Sequence, residues 1–271
     1  MKKLWTAVLS LTLLIGLTGC GNSSEDNMTT VKVGVVGEYN KQWDTVNELL
    51  KEDNIKIELV KYSDYAAVNR SLNDGDIDLN AFQHKAYLAN DIKTFQYEIE
   101  SIGDTIIAPL AIYNNADKIT SIEDIKDGDV IAIPSDLTNG GRALKLLEKA
   151  GILECDPAKG MVPTKADIIK YNKNIEIKEA ESATLAKLLP DMSAAIINGG
   201  NAITAGLNPE KDAIFTEDVN LDTAGELVNV IVARSKDKDN EVYQKVVNAY
   251  HTEEVKKTIQ DAYKGAFLCA W

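Results

Sequence analysis

Histidine is nearly missing from this chain. His84 and His251 are the only two in 271 residues, and they stand too far apart to form an H-E-x-x-H zinc helix. The chain has no G-x-S-x-G elbow, no G-x-x-x-x-G-K-[ST] loop and no C-x-x-C pair. Those absences remove the serine-hydrolase, P-loop and thiol-redox readings. Metal-ligand types are scattered rather than clustered, so no metal or cofactor is expected. Asp76 and Asp78 read as solvated turn acids, not as a catalytic carboxylate pair. Gly34-Val35-Val36-Gly37 lacks the third glycine of a dinucleotide fingerprint and reads as a tight turn. No nucleophile with its base can be assembled, so a protein without catalytic activity is expected.

Positive charge is also short. There are 29 Lys and Arg against 42 Asp and Glu, a net charge of −13 without a basic stripe, which excludes a phosphate-backbone partner. With 6 Pro, 17 Gly and 45% hydrophobic residues, the chain is neither disordered nor fibrous. No apolar run reaches the roughly 20 residues of a membrane span. The run Leu4 to Leu17 comes closest, and it is preceded by Lys2-Lys3 and followed by Leu17-Thr18-Gly19-Cys20. Residues 1–19 therefore read as a signal peptide. The tetrapeptide resembles a bacterial lipobox, which makes Cys20 the lipidation site; a plain signal peptide is the other reading. Residues 20–30 are small and polar, as a flexible tether should be. Two or more acyl chains anchor durably where one is marginal, placing the body at the extracytoplasmic face of the cell membrane. Cys155 and Cys269 remain, and sequence gives no distance between them, so a disulfide stays open.

From Val31 onward short apolar strands alternate with amphipathic helices. Val31–Val36, Ile55–Val60 and Ile77–Leu79 read as strands around a helix from Trp43 to Leu50, the β-α-β order of an α/β fold with a parallel or mixed sheet. A second series places strands at Val130–Ile133, Ile175–Ile177 and Ser193–Ile197, with a helix from Arg142 to Ala150. Glu241 to Lys264 is rich in helix formers. The apolar segments Ile106–Tyr113 and Leu227–Ala233 bracket the middle series as paired hinge strands. The reading is two α/β lobes, with residues 31–113 plus 228–271 in lobe one and 114–227 in lobe two. One continuous sheet is the competing architecture.

The polar and aromatic residues suit a small zwitterion. Ser135 to Arg142 places a polar, Gly-containing turn between a strand and a helix, where free N–H groups face an anion. The Arg142 fork fits a carboxylate, and the opposing reading is a helix cap with a surface Arg. Phe82, His84 and Tyr87 fall within one or two helical turns and either wall an apolar pocket or pack the core. Asn198 at a strand end and Asn229 inside an apolar strand need hydrogen-bond partners, supplied either by a ligand ammonium or by the local backbone.

Five blocks in order carry a resemblance over essentially the whole chain. They are the lipobox, Phe82-Gln83-His84-Lys85-Ala86-Tyr87-Leu88, Asn139-Gly140-Gly141-Arg142-Ala143-Leu144, Ile196-Ile197-Asn198 and Val228-Asn229-Val230-Ile231-Val232-Ala233-Arg234. With them the chain resembles the NlpA-type lipoproteins, the methionine-binding components of methionine ABC importers. The resemblance implies a two-lobed type II periplasmic-binding-protein-like fold, acting as a monomer, that closes on a free amino acid and passes it to a membrane permease driven by an ATPase. It implies that Arg142 grips the α-carboxylate and that Asn198 and Asn229 hold the polar backbone groups of the ligand. Tyr65, Phe82, His84 and Tyr87 then line the side-chain pocket. Three places depart from the family pattern: Val36-Gly37-Glu38-Tyr39-Asn40 replaces a Pro-Gly-Pro-His-like turn, and Asn201 and Leu227 stand where Tyr is common. These leave open a Met-containing dipeptide or another amino acid as ligand, or a non-transport lipoprotein that binds a protein partner.

Overall fold

The computed structural model describes residues 28–271, so the leader, Cys20 and most of the tether lie outside the described residues. The strands in chain order are β1 (Thr29–Val36), β2 (Ile55–Tyr62), β3 (Leu79–Asn80), β4 (Ile99–Asp104), β5 (Ile106–Ile107), β6 (Leu110–Asn114), β7 (Val130–Pro134), β8 (Leu153–Cys155), β9 (Ile168–Tyr171), β10 (Glu176–Ala180), β11 (Ala194–Asn198), β12 (Ala213–Thr216), β13 (Val230–Arg234) and β14 (Leu268–Cys269). Ten of them make two five-stranded sheets, ordered β2-β1-β3-β13-β4 and β10-β7-β11-β6-β12. The two sheets repeat one plan. Three parallel strands are followed by one antiparallel strand, and the fifth runs antiparallel to that one. The antiparallel members are β13 and β6, the strands that follow each passage of the chain between lobes.

The apolar runs are continuous because these strands are buried on both faces. Along β6, Leu110 and Ile112 enter one core of the second lobe while Ala111 and Tyr113 enter the other, and Ala194/Ile196 and Ala195/Ile197 of β11 divide the same way. Alternation with a period of two sends each run into two cores. Each fully buried Leu, Ile or Val contributes roughly 1.5–3 kcal/mol. In the first lobe Val31, Val33 and Val35 of β1 pack with Trp43, Tyr250 and Ile259 on one face. On the other face a Cβ at Gly34 would lie 2.5 Å from Ile77 Cδ1 and 3.0 Å from Val68 Cγ1, so glycine lets both side chains pack directly on the strand.

The fold is the expected two-lobed α/β arrangement, with three local differences. The apolar segment from Ile106 is broken at Ala108-Pro109, and β6 hydrogen-bonds into the second sheet through β11 and β12. By strand pairing the outward crossing therefore falls at residues 105–109 rather than at Asn114. The two crossings are paired through backbone bonds, Thr105 N–H to Asn229 O and Asn229 N–H to Ile106 O on one side, and Glu217 N–H to Leu110 O on the other. Next, the helix expected from Arg142 begins earlier. It is α4, Leu137–Lys149, the fourth helix after α1 (Gln42–Leu49), α2 (Val68–Asp74) and α3 (Lys85–Phe95). Asp136 caps it by accepting the Asn139 N–H at 2.9 Å, so Asn139-Gly140-Gly141 is helical and not a turn. The glycines answer a packing demand instead, since a Cβ would meet Pro134 O at 2.9 Å at Gly140 and Met161 O at 2.7 Å at Gly141. Lastly, after α5 (Leu185–Leu188) and α6 (Gly199–Thr204), the final helical stretch splits into α7 (Glu241–Tyr250) and α8 (Glu253–Tyr263). Thr252 caps the second of these, which is why one composition makes two helices.

Candidate ligand-binding site

All seven residues singled out from the sequence line one cavity of about 100 Å³ between the lobes. That exceeds several-fold the roughly 10–15 Å³ a single water needs. The wall from the first lobe is aromatic. Tyr65, Phe82 and Tyr87 stand with ring centroids 5.7 to 5.9 Å apart, two of the three contacts edge-on. This is the geometry aromatic pairs prefer, and the three rings face the cavity rather than filling a closed core.

His84 opens α3 as its cap, its Nδ1 accepting the Tyr87 N–H at 3.1 Å. That acceptor role fixes the proton on Nε2, which donates to Asn139 Oδ1 at 3.2 Å across the cleft. Burial, then the Arg142 charge, push the imidazole down to about 3, opposed by the bond to Asn139, so His84 is neutral at ordinary pH. Tyr65 accepts the Asn201 amide at 3.1 Å, and burial raises its phenol well above the usual range. Tyr87 is raised as well, first by burial and then by Asp91.

The second lobe supplies the polar wall through Asn139, which sequence reading passed over as a site residue. Its Nδ2 is committed to both Asp136 oxygens at 3.1 and 3.2 Å, turning Oδ1 into the shared acceptor for His84, Asn198 Nδ2 at 2.8 Å and Arg142 Nη1 at 3.4 Å. A polar residue one turn before the Arg, on a helix capped by Asp, was the signal for it. Asn198 ends β11, and its Oδ1 is buried without a partner among the described residues. Asn229 has its amide on Ile106 O at 3.0 Å, which is the backbone-bonded alternative, while its side chain still lines the cavity.

Arg142 is no surface residue, being 4% exposed. Its Nη2 contacts Glu217 Oε2 at 2.5 Å and Ala108 O at 3.4 Å, and Nε reaches Glu217 Oε1 at 3.3 Å. Of its five N–H groups these bonds and the one to Asn139 leave a single Nη1 hydrogen for another acceptor. Sequence reasoning also missed the support behind Phe82 and His84. Asn69, Asn80, Gln83 and Asp91, each 5% exposed or less, form one network in which Asn69 bonds the other three. Burial, partly offset by that Asn69 bond, raises the Asp91 carboxyl.

Comparison with known proteins gives the family. Residues 31–271 match the family described as NlpA lipoprotein. The chain belongs to the NlpA lipoprotein family. The D-methionine-binding lipoprotein MetQ of Salmonella typhimurium is 38% identical over 273 residues, covering 99% of this chain and 98% of that protein. A nutrient-binding protein from Burkholderia cenocepacia, solved bound to methionine, superposes with a TM-score of 0.84 at 35% identity over 89% of this chain and all of that one, 100%. The substrate-binding protein of a methionine transporter from Streptococcus pneumoniae gives a TM-score of 0.84 at 34% identity, covering 89% and 96%.

The departures from the NlpA pattern have distinct outcomes. Asn201 lines the cavity and bridges the lobes through Tyr65. Leu227 does not line it, but borders an adjoining apolar recess of about 220 Å³ that shares His84 and Arg142. Cys155 and Cys269 are both free, and they pack in the cores of different lobes, so no disulfide joins them. Among the described residues no helix is long and apolar enough to cross a membrane.

Proposed function

We propose that this chain is the substrate-binding lipoprotein of an ABC importer, anchored through Cys20 at the extracytoplasmic membrane face, and that it captures methionine between its lobes for a permease and its ATPase. The observation that carries the reading is the pairing, in one buried cavity, of an unpartnered acceptor with an uncommitted donor. Asn198 Oδ1 is the acceptor and matches a ligand ammonium, since leaving it unpaired costs about 1–3 kcal/mol. The remaining Nη1 hydrogen of Arg142 matches a carboxylate. The Tyr65, Phe82 and Tyr87 rings match a thioether, for which aromatic edges provide about 0.3–1.5 kcal/mol. Asn229 orients Ile106 O and the cavity edge, and His84 works as a neutral donor that holds Asn139. The relatives whose names specify methionine support this choice of ligand. The role proposed is binding without catalysis, by a monomer whose lobes are the two sheet units with their crossings at residues 105–109 and 217–229.

A second reading keeps the role and changes the cargo to a Met-containing dipeptide. The recess bordered by Thr138, Met161 and Leu227 next to Arg142 favours it. Acid release from protein purified without denaturation, followed by amino-acid and peptide analysis, separates the readings. Free methionine is expected; a dipeptide supports the second reading, and another amino acid contradicts both.

A further inference from the structure

The guanidinium that lines the cavity is held from behind. Glu217 follows β12 directly and grips Arg142 with both oxygens, at 2.5 and 3.3 Å. Its Oε2 also accepts the Leu110 N–H at 3.0 Å, and its own N–H donates to Leu110 O at 2.9 Å. The carboxylate is thereby fixed to the crossing between the lobes and not to a mobile surface. The two side chains are 4% and 13% exposed, so the pair interacts through protein rather than through water. Glu217 itself does not line the central cavity, and whatever it does to a ligand passes through Arg142.

The charge arrangement gives that position a consequence. Among the described residues lining the cavity, Arg142 is the only Lys or Arg and no Asp or Glu is present. A lone guanidinium in a buried wall attracts any carboxylate, whether or not the ligand also carries an ammonium. Glu217 cancels that charge at hydrogen-bond distance, and Asp136, bonded to the Asn139 amide, adds a second carboxylate behind the same wall. A net-negative ligand then exchanges its hydration for a wall without net positive charge, which is unfavourable. A zwitterion does not meet this penalty, because it brings no net charge to the wall: its ammonium is matched by Asn198 Oδ1, while its own carboxylate takes the remaining Arg142 hydrogen.

We propose that Glu217 is a positioning residue that sets the preference of this site for a zwitterionic amino acid over an anion of the same shape without the amine. The inference rests on the amino-acid-binding reading above. It is tested by calorimetric titration of the full chain in detergent with L-methionine and with 4-(methylthio)butanoate, its deaminated analogue. The quantity read is the ratio of the two Kd values. In wild type the ratio strongly favours methionine. In Glu217→Gln and Glu217→Met it falls by about tenfold or more, the scale of one charge removed at close range in a low-dielectric wall, whereas Glu217→Asp keeps it near the wild-type value. Two neutral variants of different polarity guard against loss of fold in either one. An unchanged ratio in a folded neutral variant, whatever its absolute affinities, overturns the proposal. Wild-type protein that binds neither of these nor any other amino acid overturns the underlying reading instead, and that titration comes before any variant is made.

Discussion

At the scale of single residues, one side chain ties ligand chemistry to stability. Arg142, which the sequence leaves open as a surface residue, is buried against Glu217. Arg142→Ala is expected to abolish amino-acid binding and also to destabilise the ligand-free protein by about 3–5 kcal/mol, because it strands a buried carboxylate. Urea unfolding without ligand measures this, and unchanged stability would show that the ion pair contributes nothing. His84 gives a pH-dependent counterpart. Its folded-state value lies near 3 against 6.5 ordinarily, so between these values the unfolded chain binds a proton that the native chain refuses. Stability is complete above about 6.5 and is lost as pH falls toward 3. Comparison of wild type with His84→Gln at about pH 5 and about pH 7.5 should show that part of the slope vanish in the variant; equal slopes would mean that His84 is not held neutral.

At the scale of elements, α4 decides the polar wall. Asp136 caps the helix and orients the Asn139 amide with the same carboxylate. Asp136→Ala should therefore cost about 1 kcal/mol of stability and also weaken ligand binding, since Asn139 is then free to turn its amide toward His84 and Asn198. Titration that finds full affinity in a destabilised variant would confine Asp136 to capping. The start of α4 was the element least legible in sequence. Gly140-Gly141 carries the signature of a turn, and only the backbone of Pro134 and Met161 against those positions shows why glycine is needed inside a helix. The sheet strands, by contrast, were legible from their continuous apolar runs, because burial on both faces leaves that mark. Six of the seven cavity-lining residues were legible as types at a spacing, and Tyr65 entered only through the family resemblance. Asn139 and Glu217 were not, since a polar residue that acts by holding another looks like any helix-start amide or surface acid until the third dimension is known.

At the scale of the whole molecule, polar side chains meet across the cleft. His84 reaches Asn139 and Tyr65 reaches Asn201. Beside them Gly37, at φ +76°, sits so close to α6 that a Cβ would lie 2.9 Å from Thr204 Oγ1. The turn at the end of β1 thus lies directly against α6 across the cleft, with no room for a side chain at Gly37. Gly37→Ala is expected to weaken ligand binding through blocked closure, and Thr204→Ala in the same chain should recover part of the loss; no recovery would assign the effect to backbone strain at Gly37 alone. Because the residues lining the cavity come from both lobes, a ligand that touches both walls would favour the closed arrangement over any open one.

The most direct test of the account is thermal unfolding of the full chain in detergent, refolded to remove carried-over ligand, against the free amino acids in both chiral forms. A ligand that binds only the folded state stabilises it by RT ln(1 + [L]/Kd), about 2.7 kcal/mol at a hundredfold excess over Kd. The account predicts a large upward shift with L-methionine or D-methionine and little with the others. An absence of any shift with either form of methionine, in protein that refolds cooperatively, would contradict it.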